Sequence, residues 1–284
     1  MRLAVLADIH GNLPALQTVA DHIERWRPEG VVLAGDVVNR GPRPVECWRF
    51  VQEKVKTQGW QLVRGNHEEY VVSQATNTHA PGSPEFEIAR SSFWTYQKFN
   101  GEVSALNDLP FSLDLPSPGG GVRVAHASMR GSRDGIYPWT TDEELSQQVG
   151  SPPPALFVVG HTHRPLTRQV NGAQVVNVGS VGLPFDGDPR AGYAQFVWQA
   201  GSWQAEIVRP DYDRAQAERD FFDTGFYDEG GALAKLMVRE LRIAQSQIGE
   251  WTVAWQAKVV AGEIGLEESV ERFLAEGSNV TKTD

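Results

Sequence analysis

Short hydrophobic runs recur in the first part of the chain, and each of them ends in a polar loop. The first three runs span residues 2–7, 31–34 and 60–63, with helix-like sequence between them. Such runs are typical of buried strands, and strands that alternate with helices indicate a parallel sheet. Asn12 is placed to cap the first helix, and Pro14 suits its first turn. We therefore predict repeated strand–helix units at the start of the chain.

The second part of the chain is dominated by strand patterns. Asn171-Gly172 separates two alternating runs, which is the strongest short-range signal for a hairpin. Residues 88–106 are predicted to form one helix, and helices are predicted again after residue 211, with breaks at Gly225 and Gly230. A second hairpin is predicted around Ala200-Gly201, because its alternating tryptophans and apolar residues suit a half-buried pair. The predicted strands cover residues 111–115, 122–125, 156–159, 166–170, 173–178, 193–198 and 203–208.

Composition excludes several classes of protein. The single cysteine, Cys47, permits neither an intramolecular disulfide nor a cysteine-rich zinc site. The net charge of −10 makes long nucleic acid an unlikely partner, because binding to nucleic acid depends on neutralising phosphates. The first apolar run is too short for a signal peptide, and no stretch approaches the roughly 18 apolar residues of a membrane helix. We expect a cytoplasmic protein that does not bind membranes.

Five short motifs place histidine, aspartate or asparagine directly after apolar runs. Because the carboxyl ends of parallel strands meet at one edge of a sheet, these side chains are expected to lie together. Imidazole and carboxylate groups are ligands for first-row transition metals. The pattern therefore predicts a metal site. Its motifs are Asp8-x-His10, Gly35-Asp36, Gly65-Asn66-His67, Val124-Ala125-His126 and Gly160-His161-x-His163.

The order and spacing of these motifs resemble the calcineurin-like metallophosphoesterase superfamily. The resemblance covers residues 1–208. It is greatest to the small bacterial and archaeal phosphodiesterase-type members, whose sequences are similar to this chain at residues 8–16, 160–165 and 177–193. It implies an α/β fold, a four-layer α/β/β/α sandwich, over residues 1–208. Residues 209–284 are then predicted to be a helical C-terminal extension.

The resemblance also implies a centre with two divalent transition-metal ions, which could be Mn, Fe, Ni, Co or Zn. Asp36 would bridge the two ions, and a hydroxide held between them would attack phosphorus. One ion would be bound by Asp8, His10 and His163, and the other by Asn66, His126 and His161.

Three further residues are candidates for substrate binding or catalysis. The resemblance implies that His67 is the general acid for the leaving group and that Arg40 binds phosphate. Arg130 is a weaker candidate for phosphate binding. Asn39 stands where protein phosphatases have an acidic residue that orients the catalytic histidine. We expect Asn39 to accept a hydrogen bond from His67 without adding charge, so that His67 is less basic than in those enzymes.

The sequence thus predicts a dinuclear metal-dependent phosphoesterase that hydrolyses small phosphodiester or nucleotide-type substrates. One alternative is a phosphomonoesterase that acts on sugar phosphates or phosphoproteins. An alternative of another class is a non-catalytic metal-binding scaffold on the same fold. The role of the C-terminal helices stays open between covering a sheet edge, forming a homo-oligomer and binding a partner.

Overall fold

The computed structural model describes residues 1–280 and contains two five-stranded sheets. The last four residues of the predicted extension, 281–284, lie outside the described residues. The strands are β1 (Arg2–Leu6), β2 (Gly30–Leu33), β3 (Gln61–Leu62), β4 (Ser112–Leu115), β5 (Val122–Ala125), β6 (Leu156–Val159), β7 (Leu166–Val170), β8 (Ala173–Asn177), β9 (Tyr193–Gln199) and β10 (Ser202–Val208).

Helices connect the strands and follow the last of them. A short 3₁₀ turn follows α3, and residues 252–256 form a π-helical segment between α11 and α12. The helices are α1 (Leu13–Trp26), α2 (Pro44–Gln58), α3 (Asn66–Val72), α4 (Pro84–Ile88), α5 (Arg90–Lys98), α6 (Ser104–Asn107), α7 (Asp142–Val149), α8 (Arg214–Asp223), α9 (Phe226–Glu229), α10 (Ala234–Ile243), α11 (Ile248–Trp251), α12 (Ala257–Val260) and α13 (Leu266–Val280).

Each sheet combines three parallel strands with antiparallel strands, at one edge in the first sheet and at both edges in the second. The first sheet has the order β10-β9-β1-β2-β3, in which β1, β2 and β3 are parallel and the β9–β10 hairpin is added antiparallel. The second has the order β4-β5-β6-β8-β7, with β5, β6 and β8 parallel. Both predicted hairpins form, β7–β8 at Asn171-Gly172 and β9–β10 at Ala200-Gly201. The carboxyl ends of the parallel strands carry the predicted motifs.

The two sheets pack face to face, with helices on both outer faces. The core between the sheets joins Val5 of β1 and Val32 of β2 to Val124 of β5 and Val158 of β6. Side chains of α1 and α2 pack on the outer face of the first sheet, and α7 packs on the outer face of the second. Asn12 caps α1 by accepting a hydrogen bond from the backbone N–H of Ala15. The predicted four-layer α/β/β/α sandwich is confirmed.

The segment between β3 and β4 differs from the prediction. Residues 88–106 do not form one helix but belong to α4, α5 and α6. The chain turns between α5 and α6 because Asn100 and Gly101 adopt left-handed backbone angles, with φ of 52° and 78°. Helix α7 was not predicted, although Thr141 caps it by accepting from the backbone N–H of Glu144.

The helices after residue 208 form an apolar cluster of their own against the sandwich. Phe226, Met237 and Trp251 are buried there together with Trp94 and Phe185, which belong to the earlier part of the chain. Within residues 1–280, no helix is long and apolar enough to cross a membrane. The C-terminal helices are thus anchored beside the loops that follow the strands.

Candidate metal centre

The predicted ligands meet at the carboxyl ends of the parallel strands. The loop after β1 carries Asp8 and His10, the loop after β2 carries Asp36, and Asn66 begins α3 just after β3. His126 follows β5, whereas His161 and His163 follow β6. The two sheets therefore contribute from both sides to one site, and they bring together seven side chains that are up to 155 residues apart in sequence.

Several non-glycine residues at the site have left-handed backbone angles, which are strained. Few non-glycine residues adopt a positive φ, and each costs about 1–3 kcal/mol unless the surroundings hold it. Here such residues are concentrated in the ligand loops, which indicates that side-chain placement has overridden backbone preference. The residues concerned are Asp8 (57°), His10 (49°), Asp36 (59°), Asn39 (68°), Arg40 (61°), His161 (68°) and His163 (57°).

Two glycines allow the loops to approach the carboxylates closely. A Cβ atom on Gly65 would overlap the carboxylate of Asp36, and one on Gly160 would overlap the carboxylate of Asp8. Any larger residue at either position would therefore push a carboxylate out of place.

Each carboxylate uses one oxygen for the backbone and leaves the other for the site. Asp8 Oδ2 accepts from the backbone N–H of His161 at 2.9 Å, and Asp36 Oδ1 accepts from that of His67 at 2.9 Å. Asp8 Oδ1 is buried without a hydrogen-bond partner and lies 3.4 Å from His163 Nε2. Asp36 Oδ2 lies 3.2 Å from His126 Nε2. One oxygen of each residue is thus fixed and the other is directed at the histidines.

Backbone carbonyls set the orientation of three imidazole rings. His126 Nδ1 faces the carbonyl oxygen of Ala34 at 2.8 Å, and His10 Nδ1 faces that of Asn39 at 3.3 Å. His163 Nδ1 faces the carbonyl oxygen of Leu183. A ring that donates Nδ1–H to a carbonyl presents the lone pair of Nε2, which is the arrangement of a metal-ligating histidine.

The side chains form three overlapping groups that could hold metal ions, one of which joins His10, Asp36 and His67. Asp8, His10 and His163 form the first, with His10 Nε2 and His163 Nε2 only 3.1 Å apart. The second consists of Asp36, His126 and His161. Asn66 joins it, since Asn66 Oδ1 lies 2.8 Å from His126 Nε2 and 2.9 Å from His161 Nδ1.

The donor set fits divalent transition metals. Lone pairs that converge from carboxylate oxygens and imidazole nitrogens repel one another unless a cation or protons lie between them. The unpartnered Asp8 Oδ1 is a buried acceptor that such a cation would satisfy. Mixed imidazole and carboxylate ligands suit Mn, Fe, Co, Ni and Zn.

The electrostatics of the site favour positive charge near Asp36. Burial lowers the pKa of His161 to about 4 and that of His10 well below its usual value, so both rings are neutral ligands near neutral pH. Burial opposes a charge on His126 as well, yet the Asp36 carboxylate beside it raises the pKa of His126 to about 10. A carboxylate that holds a proton on its neighbour in this way also attracts a metal ion.

Further residues hold the ligand loops in place, and sequence reasoning gave them little weight. The fully buried carboxylate of Glu68 accepts from the backbone N–H groups of residues 36, 37, 38 and 65 at 2.8–3.2 Å. Burial raises the pKa of Glu68 to about 7. Asn177 donates to the carbonyl of Gly160 at 2.6 Å, and Ser180 donates to that of Asp8 at 2.7 Å.

His67 lies beside the ligands, and its partner Asn39 differs from the expectation. The rings of His67 and His10 are 4.7 Å apart, edge to face. Asn39 Nδ2 lies 3.0 Å from His67 Nδ1, so Asn39 donates this hydrogen bond and does not accept it. Its oxygen is turned instead towards the hydroxyl of Thr95. Burial lowers the pKa of His67 to about 3, so the ring is neutral near neutral pH. The hydrogen bond from Asn39 to Nδ1 then leaves the proton of the ring on Nε2.

The two arginine candidates are placed differently. Arg40 lies at the site, and its Nη2 donates at 2.5 Å to Glu240, a fully buried residue of α10. The other oxygen of Glu240 accepts from the backbone N–H groups of Gln247 and Ile248 at 2.9 and 3.0 Å. Glu240 therefore ties the Arg40 loop to the C-terminal helices. Arg130 is bound by carboxylates of α7 and the loop before it, and it does not line the cavity described next.

A cavity of about 770 Å³ opens over the ligands. Asp36, Asn66, His67, His161 and His163 line one part of it, together with Arg40. Residues from the C-terminal helices line another part. The cavity is large enough for a small organic ligand, since such sites usually measure about 300–1,000 Å³. The helices after residue 208 therefore take part in the site.

Three known proteins resemble this chain over most of its length. A metallophosphoesterase from Sphaerobacter thermophilus is 26% identical with a TM-score of 0.66, and the match covers 86% of this chain and 99% of that one. A hypothetical protein from Pyrococcus horikoshii OT3 has the same fold, with 21% identity and a TM-score of 0.72. That match also covers 86% of this chain and 99% of the other. An uncharacterized protein of Methanocaldococcus jannaschii is 27% identical over 233 residues, which are 76% of this chain and 89% of the relative.

Fold and site together define a two-sheet α/β protein with a histidine–carboxylate metal centre in a cavity. The family model of the calcineurin-like phosphoesterases matches residues 1–176, and the chain belongs to this family. It is accordingly a hydrolase that acts on phosphoric ester bonds.

Proposed function

We propose that the protein is a dinuclear phosphoesterase that prefers small phosphodiesters. Asp8, His10 and His163 would hold one divalent ion and Asn66, His126 and His161 the other, with Asp36 between them. Support comes from the two ligand groups and from Asp8 Oδ1, which is buried without a hydrogen-bond partner. Asp36 Oδ2 lies 3.7 Å from His10 Nε2 and 3.2 Å from His126 Nε2, so it stands between the two groups. When bound, two such ions would polarise the phosphoryl group and lower the pKa of an attacking water.

The pairing of Arg40 with Glu240 is the observation that carries the preference for diesters. Arg40 lines the cavity beside the ligands, as does Arg164, and the buried carboxylate of Glu240 compensates the charge of Arg40. A dianionic phosphomonoester therefore gains less binding energy from Arg40 than it would from an unpaired arginine, because the carboxylate of Glu240 behind Arg40 repels it. A diester carries a single negative charge, so the carboxylate of Glu240 lowers its binding energy less. The cavity also has room for a second ester group.

His67 is placed to assist the leaving group. It lines the cavity, and the hydrogen bond from Asn39 to Nδ1 leaves a proton on Nε2. In the neutral ring this N–H can form a hydrogen bond with the oxygen that departs from phosphorus as charge develops on it, whereas transfer of a proton would require the imidazolium form. Arg40 orients the phosphoryl oxygens through the guanidinium N–H groups that Glu240 does not occupy.

Hydrolysis of two nitrophenyl esters tests the proposal. Bis-p-nitrophenyl phosphate and p-nitrophenyl phosphate release the same chromophore, so that the difference between them reports on the second ester group. The protein is treated with chelator, and Mn²⁺, Co²⁺, Ni²⁺ and Zn²⁺ are then added back separately. We expect metal-dependent cleavage with a higher kcat/KM for the diester. Preference for the monoester would support the phosphomonoesterase alternative, and absence of turnover with every metal would support the scaffold alternative.

A further inference from the structure

One side of the cavity is built by the helices after residue 208. We call these lining residues the C-terminal wall, and they lie between residues 233 and 256. The wall combines apolar side chains with a few neutral polar groups. Its main members are Leu233, Met237, Ile248, Trp251, Thr252 and Gln256.

The C-terminal wall carries no charged residue, in contrast to the ligand side of the cavity. Among all residues that line the cavity, the arginines are Arg40 and Arg164, and no lysine contributes. Arg40 is paired with Glu240, and Arg164 donates through Nε to the carbonyl of Phe185 at 3.1 Å. A second phosphate or a polyphosphate chain would thus find no cluster of cations on the wall.

The apolar surface of the wall begins at the metal ligands. The ring of Phe185 stacks on the ring of His163, with centroids 4.3 Å apart and planes inclined by 16°. Phe185 also belongs to the same buried apolar cluster as Met237 and Trp251. Phe185, Met237 and Trp251 are at most 8% exposed, so they form the apolar backing of the cavity. The more accessible part of the wall consists of Ile248, Thr252 and Gln256, all of them uncharged.

The backbone of the wall is irregular where it faces the cavity. Residues 252–256 form the π-helical segment, and both Thr252 and Gln256 line the cavity. π-Helical turns are rare and occur frequently at functional sites, because they turn side chains in directions that a regular helix does not allow. Val253, the residue next to Thr252, points away from the cavity and is 90% exposed.

From these observations we propose that the C-terminal wall is the binding site for an uncharged, ring-containing group of the phosphate ester. The substrate class is then an ester with one phosphoryl group at the ligands and a neutral aromatic or heterocyclic group on the wall. This inference rests on the proposed function for the identity of the phosphoryl site. It assigns the C-terminal helices to substrate selection.

Binding of phosphonates tests the proposal without turnover. Methyl-, phenyl- and naphthylphosphonate carry the same anionic head, and they differ only in the uncharged group. Calorimetry on the Mn²⁺-loaded full chain gives their Kd values. We expect each added ring to tighten binding, by roughly tenfold or more in total, because rings move from water onto an apolar surface. Tripolyphosphate should bind no more tightly than methylphosphonate.

Two neighbouring substitutions locate the effect. Thr252→Trp places a large side chain in the cavity, whereas Val253→Trp adds the same side chain one residue further on, outside the cavity. We expect Thr252→Trp to abolish most of the advantage of naphthylphosphonate while the Kd of methylphosphonate stays unchanged. Val253→Trp should keep the wild-type Kd values, which controls for effects of tryptophan on this segment.

Three results would overturn the proposal. These are equal Kd values for the three phosphonates in the wild type, equal losses in the two variants, and tighter binding of tripolyphosphate than of naphthylphosphonate. Failure of the proposed function looks different, because the ring-dependent binding would then persist in a protein that hydrolyses neither nitrophenyl ester.

Discussion

The contact between Arg40 and Glu240 leads to a quantitative expectation for substrate choice. Glu240→Gln removes the negative charge behind Arg40 but keeps a side-chain oxygen for the backbone N–H groups of Gln247 and Ile248. Arg40 then faces the cavity with an uncompensated charge. We expect the variant to accept dianionic monoesters better than the wild type does.

The size of this effect follows from the distances. Nη2 of Arg40 lies 2.5 Å from the carboxylate of Glu240. A phosphate oxygen bonded to another guanidinium N–H at about 2.8 Å would lie roughly 6 Å from that carboxylate. At an effective dielectric constant of about 20, one unit of charge at about 6 Å is worth about 3 kcal/mol. Water in the open cavity screens part of this energy, so we expect about 1.4 kcal/mol, a tenfold change.

The assay compares kcat/KM for p-nitrophenyl phosphate and bis-p-nitrophenyl phosphate in the same preparations. In Glu240→Gln the ratio of monoester to diester should rise about tenfold. Glu218→Gln is the matched control, since it removes the same charge from an exposed pair with Arg242 on the neighbouring helices. Exposed pairs contribute about 0–1 kcal/mol, so this variant should keep the wild-type ratio and stability.

Stability is measured alongside activity. Loss of one partner from a buried pair costs about 3–5 kcal/mol, and the 13% exposure of Arg40 to the cavity should place Glu240→Gln at or below the lower end of that range. Denaturant unfolding checks this value, and metal analysis checks that the ligand loops are intact. A folded, metal-loaded Glu240→Gln protein with an unchanged substrate ratio would refute the electrostatic argument.

Three other substitutions have expected outcomes. Asp36→Asn should lower metal occupancy and hydrolysis together, because the central carboxylate loses its charge; full occupancy and activity would show that Asp36 holds no metal. His67→Ala should keep the metal content but lose roughly 10²–10⁴ in rate with an alkoxide leaving group, and less with nitrophenolate. Equal losses on both leaving groups would argue against assistance of the leaving group by His67. Gly65→Ala should lower metal affinity because its Cβ overlaps the Asp36 carboxylate, whereas Gly131→Ala, which meets open space, should not.

The ligand set could be predicted from sequence because each ligand lies in a short motif directly after a strand. Parallel strands bring their carboxyl ends together, so that Asp8 and Asp36 become neighbours without any knowledge of side-chain packing. The layered fold was predictable for a related reason, since the short buried runs and the Asn171-Gly172 turn are local signals. Local pattern and global fold agree for the strands of residues 1–208.

The parts that escaped prediction depend on contacts between distant segments. Glu240 lies 200 residues from Arg40. The helical period places Glu240 on the apolar face of α10, three residues after Met237, but it does not indicate which residue its carboxylate binds. The placement of Arg130 near the motif of His126 was misleading, because Asp134 and Glu144 bind its guanidinium. These pairings are decided by tertiary packing, which a single sequence does not encode locally.

Other differences had local signals that could have been used. Asn100-Gly101 is a turn dipeptide inside the segment that was expected to be one helix, and it marks the break between α5 and α6. Thr141 followed three residues later by Glu144 is a capping-box pattern, and it marks the start of α7. The assignment of residues 209–284 as a separate extension stays a prediction, as does homo-oligomer formation through its helices, which the mass in solution would test.

Metal stoichiometry distinguishes a dinuclear centre from a mononuclear one. Elemental analysis of the chelated and reloaded protein, together with calorimetric titration of Mn²⁺, counts the ions per chain. The account predicts two ions in the wild type and one ion in each of Asp8→Asn and Asn66→Ala, which disrupt different ligand groups. Hydrolysis should reach its maximum only when the second ion binds. A wild-type protein that holds a single ion at full activity, or variants that both keep two, would contradict the dinuclear centre proposed here.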